Sequence, residues 1–367
     1  MPKKPFLSWK CVLALCVAVL VVSGSFLSGK AAAETPYYKG KVITFVVPSS
    51  AGGGTDVSAR LLARHLAKFI PGDPKVVVRN MPAAGGLVGA NYVWYAKPNG
   101  LTCLVTAGKT VMENFLRSKG TEYKLQEMFP IYSNATGRVY YSKPGLIARP
   151  KDIMTTKGLI FGHGTATSGT TSGFLWAKEL LGFEVDKMVL GYSGGSDARL
   201  AFLSGEVNLS GETTLGYLSS IKTFVQKGEV VLVFQGGLLD ADGNLVREKA
   251  APDIPTPAEL YLEVYGKAPG GPVWEAYKLV VGSSTYNKTV LLPPNTPAEQ
   301  VAIFRKAAEE MIKDPKFLKE ADKMNPDSPH IVGKELARGY PLGVSGPPEV
   351  IEFMKELLIQ KYKVVFD

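Results

Sequence analysis

Short apolar runs alternate along this chain with stretches of helical periodicity. Lys41 to Val47 reads as a strand. Asp56 to Ile70 follows as a helix, with Val57, Leu61, Leu62, Leu66, Phe69 and Ile70 on one side and Arg60, Arg64 and Lys68 on the other. Pro71-Gly72 ends it. Val76 to Val78 is a second strand, which runs through Asn80-Met81-Pro82-Ala83-Ala84-Gly85-Gly86 into a helix reaching about Ala96. Leu101 to Val105 is a third strand. Strand, loop and helix in repetition predict an α/β fold with largely parallel sheets. The pattern crosses over between Tyr140 and Pro150, and a second series begins. It has strands at Leu159 to Phe161, Met188 to Leu190 and Val230 to Phe234, and helices at Phe174 to Leu181 and Ala198 to Leu203. The segment from Gly236 to Gly271 reads as loop. Thr296-Pro297-Ala298-Glu299 is a capping box that opens a helix to about Ile312, and further helices start at Asp314-Pro315 and Pro347-Pro348.

The first thirty-odd residues stand apart. Lys3, Lys4 and Lys10 precede an unbroken apolar run from Cys11 to Val22, and Ala31-Ala32-Ala33 follows. This is the pattern of a secretory signal peptide, residues 1–33, cut after Ala33. The alternative is an uncleaved anchor, but the run is short for a membrane span. Cleavage removes Cys11 and Cys16 and leaves Cys103 alone, in the buried-looking strand LTCLV, so no intrachain disulfide is expected. The formal charge of +9 also falls, because four lysines lie in the first thirty residues. A mildly basic chain favours anionic small molecules only weakly. No dense Lys/Arg tract points to nucleic acid. The three histidines have no metal-ligand spacing, and no cofactor is expected.

Four loops can hold a ligand. In Pro48-Ser49-Ser50-Ala51-Gly52-Gly53-Gly54-Thr55-Asp56, glycines let main chain approach a solute, helix-start amides lack internal partners, and hydroxyls add donors. No lysine follows the glycines, so this is not a nucleotide P-loop. Asp56 can cap the first-turn amides itself. PAAGG, residues 82–86, repeats the logic on the next strand. The hydroxyl-rich run from Thr165 to Ser172 is either surface or a wall of donors in a cleft. Gly191-Tyr192-Ser193-Gly194-Gly195 matches the elbow of α/β-hydrolases. Ser193 would need a downstream histidine, and only His330 is available, between two helix candidates. A ligand-facing turn at Tyr192, with Asp197 capping the next helix, is the better reading.

The order of these pieces resembles the substrate-binding proteins of tripartite tricarboxylate transporters, the Bug or TctC-like family, from about Tyr38 to Leu358. The stretches that carry it are VVPSSAGGGTDVSARLLARHLAK, VVVRNMPAAGGLVGANYVWYAKPNGLT, GYSGGSDARLAFLSGEV, DIPTPAE and LPPNTPAEQVAIFRKAAEEMIKDPKF. Departures lie in and beside the loops. Ser49 stands where an aromatic is usual, Ala83 replaces a glycine, Asn99 an aspartate, and the stretch from Asp240 to Lys249 is insert-like. The resemblance implies a two-lobed periplasmic binding protein fold, two Rossmann-like α/β domains joined by crossover segments. Lobe I would be residues 38–141 plus 251–367, and lobe II residues 142–250. It also implies that Ser49, Ser50, Gly53, Thr55 and Asp56 form or brace a first carboxylate clasp, and Ala84 and Gly85 a second. Thr106 would line the floor. Thr170, Ser172 and Tyr192 would reach the ligand from the other lobe, with Asp197 shaping that turn.

The expected function is that of a monomeric, exported receptor in the periplasm. It would capture a small organic carboxylate and hand it to the membrane permease subunits of such a transporter, with no catalysis. A secreted serine hydrolase using Ser193, and a solute-sensing module for a signalling partner, are the alternatives.

Overall fold

The computed structural model describes residues 1–2, 35–52, 54–192, 195–326 and 328–366. The proposed signal peptide beyond its first two residues, Gly53 and Ser193 lie outside the described residues.

Two mixed sheets form the frame. The first has the order β13-β4-β12-β3-β1-β2, from β1 (Val42–Val47), β2 (Lys75–Asn80), β3 (Thr102–Val105), β4 (Phe129–Asn134), β12 (Thr289–Leu292) and β13 (His330–Ile331). The second has the order β7-β6-β8-β5-β9, from β5 (Arg138–Ser142), β6 (Ile160–His163), β7 (Lys187–Leu190), β8 (Leu209–Thr213) and β9 (Val231–Gln235). The chain changes sheet between Asn134 and Arg138, and returns between Gln235 and Thr289, with the small hairpin of β10 (Leu238–Leu239) and β11 (Leu245–Val246) on the return.

β1 pairs in parallel with β2 and β3, and β6 with β7 and β8. These are the strands of the strand–loop–helix units, whose crossover helices force parallel pairing. β12, β4 and β13 pair antiparallel in the first sheet, and β5 in the second. The sheets are therefore less parallel than the repetition predicts, because the strands beside the crossings do not belong to such units.

The helices of these units are α1 (Gly54–Leu66), α2 (Leu87–Trp94), α3 (Gly108–Leu116), α4 (Gly169–Leu181) and α5 (Gly195–Ser204). Each starts just after the carboxyl end of a parallel strand. That arrangement aims their amino ends at one region, where open α/β sheets bind ligands. The later helices are α6 (Pro257–Tyr265), α7 (Pro272–Thr285), α8 (Ala298–Met311), α9 (Pro315–Met324), α10 (Gly333–Val344) and α11 (Pro348–Tyr362). α6 opens on Thr256, whose hydroxyl accepts from the Glu259 amide while the Glu259 carboxylate accepts from Thr256 N–H. This capping box makes a helix inside the segment that reads as loop.

One apolar core backs α1, α8 and α9 against the first sheet, including Phe45, Leu62, Phe304 and Phe317. A second contains Tyr141, Phe202 and Ile221 in the second sheet's unit. The largest joins both sheets, from Val46 and Leu104 to Phe161, Phe174 and Trp176. α7 lies in it between α4 and α10. Gly282 of α7 meets Gly343 of α10 so closely that a Cβ on Gly282 would lie 2.6 Å from the Gly343 Cα. Among the described residues no helix is long and apolar enough to cross a membrane.

Candidate functional site

The first loop is held open by one carboxylate. Asp56, in the first turn of α1, is only 2 % exposed. Its Oδ2 accepts from the Gly52 amide at 2.8 Å and from Arg60 Nε at 3.0 Å, and its Oδ1 accepts from Asn80 Nδ2 at 3.0 Å. Asn80 also donates to the Ser49 carbonyl. Burial would raise the Asp56 pKa, but Arg60, the Gly52 amide and Asn80 together hold it below the usual carboxylate value. Asp56 therefore braces the loop and keeps no lone pair aimed at a solute. Ser49 carries a buried hydroxyl with no partner, Ser50 is exposed and Thr55 is half-buried.

The second loop packs on the first through a strained turn. Ala84, Gly85 and Gly86 have φ of 51°, 65° and 98°, three left-handed residues in succession. Only glycine takes such values freely, and Ala84 bears the strain. A Cβ on Gly86 would strike the Pro48 carbonyl, and one on Gly85 would strike Nζ of Lys109. Lys109 sits in the first turn of α3, so a cation stands over the second loop. Ala84 and Gly85 are exposed.

Thr106 lies at the end of β3 and is fully buried. Its hydroxyl is 3.2 Å from the Tyr286 carbonyl and 3.4 Å from that of Thr289, and it accepts from the Thr289 amide at 2.9 Å. It joins β3 to β12.

In the second lobe the hydroxyl-rich run is largely helical. α4 begins at Gly169, five residues before the predicted start at Phe174. Ser168 Oγ donates to Thr171 Oγ1, which donates to the Gly164 carbonyl and closes the turn. Thr170 and Ser172 are buried, and Ser172 Oγ has no partner. Glycine explains why α4 starts there. The guanidinium of Arg138 occupies the space that a Cβ on Gly169 would fill, and the Tyr140 hydroxyl that of Gly173 one turn on. The Tyr192 main chain lies beside Gly164, but its side chain turns to Glu206. Its hydroxyl donates to Glu206 at 2.7 Å, and burial and that carboxylate push its pKa up to about 12. Asp197 is exposed in the first turn of α5.

The sequence reading passes over Lys109, Asn80 and Arg138. Arg138 is the opening residue of a strand buried throughout, RVYYS. That contrast between one arginine and four buried neighbours is the signal that could have found it.

His163 ends β6 and is 7 % exposed, with Nε2 unpartnered. Burial, then the charge of Arg138, lowers its pKa to about 4. The unfolded chain protonates it near 6.5, so the folded state loses stability as pH falls from about 6.5 towards 4. The loss amounts to about 3 kcal/mol over that interval, at 1.36 kcal/mol per unit. His163→Gln is expected to flatten this part of the stability profile, measured by urea unfolding at several pH values. An unchanged slope would assign the acid sensitivity elsewhere. Among the described residues no group of three or more His, Cys, Asp or Glu is placed to hold a metal ion.

No protein-family model matches the chain. It is 28 % identical over 283 residues to a UPF0065 protein of Bordetella pertussis, covering 74 % of this chain and 77 % of that one. BugT of the same organism is 34 % identical over 93 residues, 25 % of this chain and 27 % of that one. Among solved structures, a TctC solute-binding protein from Polaromonas superposes with a TM-score of 0.63 at 18 % identity, covering 89 % of this chain and all of that one. MatC from Rhodopseudomonas palustris with bound malate gives 0.53 at 19 % identity, over 86 % and 96 % of the two chains. A second R. palustris protein, with adipate, gives 0.54 at 18 %, over 88 % and 95 %. The relatives and the structures match the Bug/TctC family that the motifs resemble, and the shared fold is that of periplasmic binding proteins. The Polaromonas protein is a solute-binding protein by name.

Proposed function

From the match to the Bug/TctC family of solute-binding proteins, we propose that this chain is an extracytoplasmic receptor for a small organic carboxylate. The observation that carries the reading is the second loop. Three successive left-handed residues turn a helix start outward beside Lys109, over a first loop braced by Asp56. Such strain is retained where main chain must meet a ligand. Helix-start amides and a nearby ammonium suit a carboxylate. The binding of malate and adipate by proteins of the same fold supports that ligand class.

Ser49, Ser50, Gly53, Thr55, Ala84 and Gly85 form the clasp in this reading, with Asp56 behind them. Thr170 and Ser172 face it from the second lobe. Capture draws the lobes together about the crossings near Thr136 and Asn287, and the closed shape delivers the solute to permease subunits of a tripartite tricarboxylate-type transporter. The location is the periplasm.

A thermal-shift screen over malate, adipate, citrate, aromatic acids and amino acids tests this reading. Bound ligand stabilises the folded state by mass action, so a true ligand raises the melting temperature with the logarithm of its concentration. A response to nucleotides alone would overturn the substrate class. A Ser193-dependent turnover of a simple ester would favour the hydrolase reading instead.

A further inference from the structure

Arg138 is the most anomalous charge among the described residues. It is 6 % exposed, and its Nε is buried without a hydrogen-bond partner. Among the described residues no carboxylate lies within 4.0 Å of it in an ion pair. The nearby Glu248 is already engaged, accepting from the Gly137 amide at 3.1 Å and from the Thr214 hydroxyl. The guanidinium lies against Gly169, the first residue of α4. A Cβ placed on Gly108, the first residue of α3, would lie 3.9 Å from Nη2. Two helix amino ends, one from each lobe, therefore converge on a buried cation.

This arrangement is unfavourable in an empty protein. Helix amino ends carry partial positive charge and repel cations. A buried charge without a partner is costly. Ser172 Oγ, one turn into α4, and His163 Nε2 are unpartnered. Lys288, with Nζ 3.5 Å from Thr136 Oγ1, forms no ion pair among the described residues, and burial, then Arg138, pushes its pKa down to about 8. An anion beside Arg138 would offset the charge that burial leaves uncompensated there.

We propose that Arg138 is a direct ionic subsite for a second negatively charged group of the solute, beside the amino ends of α3 and α4. It is a binding and selectivity residue. A planar guanidinium can take a carboxylate through two parallel hydrogen bonds. Solutes with two acidic ends are preferred over those in which one end is neutral. The inference rests on the carboxylate-receptor reading for the identity of the solute, but not for the existence of the subsite.

The test compares adipate with its monoamide, succinate with its monoamide, and inorganic sulfate, on the wild-type chain and on Arg138→Gln and Arg138→Met, by calorimetry and thermal shift. The wild type is expected to prefer a diacid over its monoamide by about 100-fold, the worth of a charged hydrogen-bonded pair. Arg138→Gln is expected to remove that preference. Arg138→Met is expected to raise the melting temperature of the ligand-free protein, whereas a merely structural arginine would lower it. If no organic acid binds the wild type, yet sulfate stabilises it and not the variants, the carboxylate reading fails and the subsite stands. A wild type with no preference for the diacid, or variants that keep that preference, would overturn the subsite. So would a wild type that neither sulfate nor any diacid stabilises. The wild-type measurements decide the matter even where a variant does not fold.

Discussion

Asp56→Ala is expected to abolish solute binding and to destabilise the protein by about 2 kcal/mol, the worth of hydrogen bonds to a charged group whose ion-pair partner is half exposed. The carboxylate ties four groups around the first loop together at once. It orients the Gly52 amide, holds Arg60, positions Asn80 and, through Asn80, fixes the Ser49 carbonyl. Without it Arg60 loses its pair and the first loop loses its tether to the end of β2. Asp56→Asn keeps one acceptor but loses the charge, and should fall between the two. Urea unfolding with calorimetric titration checks this. A variant that lost stability but kept full affinity would show that the first loop is not part of the clasp.

Gly86→Val is the second large effect. Gly86 has a φ of 98°, and any Cβ there meets the Pro48 carbonyl. A β-branched side chain adds backbone strain to that collision, together about 2 to 4 kcal/mol. The substitution drives the second loop off the first, so affinity is expected to fall more than 100-fold, the equivalent of about 3 kcal/mol. Gly40→Ala is the control. It also has positive φ, at 72°, but no atom lies within 4 Å of its added Cβ. It should lower stability modestly and leave affinity alone. Equal losses of affinity in both variants would mean that the second loop has no special place in binding.

Much of the frame was legible because it rests on local pattern. Val42–Val47, Lys75–Asn80 and Thr102–Val105 announce themselves as apolar runs before glycine-rich turns, and the amphipathic face of α1 is plain. α7 was not legible. Its run PVWEAYKLVVGSST is buried along most of its length against helices on both sides, so it lacks the polar face that gives helical period away. The start of α4 reads as loop because glycine and hydroxyl residues favour turns. Its glycines are there for Arg138 and Tyr140, a long-range reason that no window of sequence contains.

The site divides in the same way. Asp56 as an internal cap and Arg60 as its structural partner follow from spacing on one helix. The engagement of Thr106 with Thr289, 183 residues away, and of Tyr192 with Glu206 does not. The insert-like stretch gains a meaning only in three dimensions. It forms the hairpin Leu238–Leu239 with Leu245–Val246, and then places Glu248 against Gly137, beside Arg138 at the crossing between sheets. A departure from the family pattern thus sits next to the charge that sets this chain's proposed selectivity.

The most direct measurement of the central claim is amide hydrogen exchange, with and without the acid that gives the largest thermal shift. The account predicts new protection at residues 49–56 and 84–86 in the first lobe and at 169–172 in the second, appearing together at one concentration. Binding that leaves the amides of 84–86 exchanging as before, or protects one lobe alone, would contradict it.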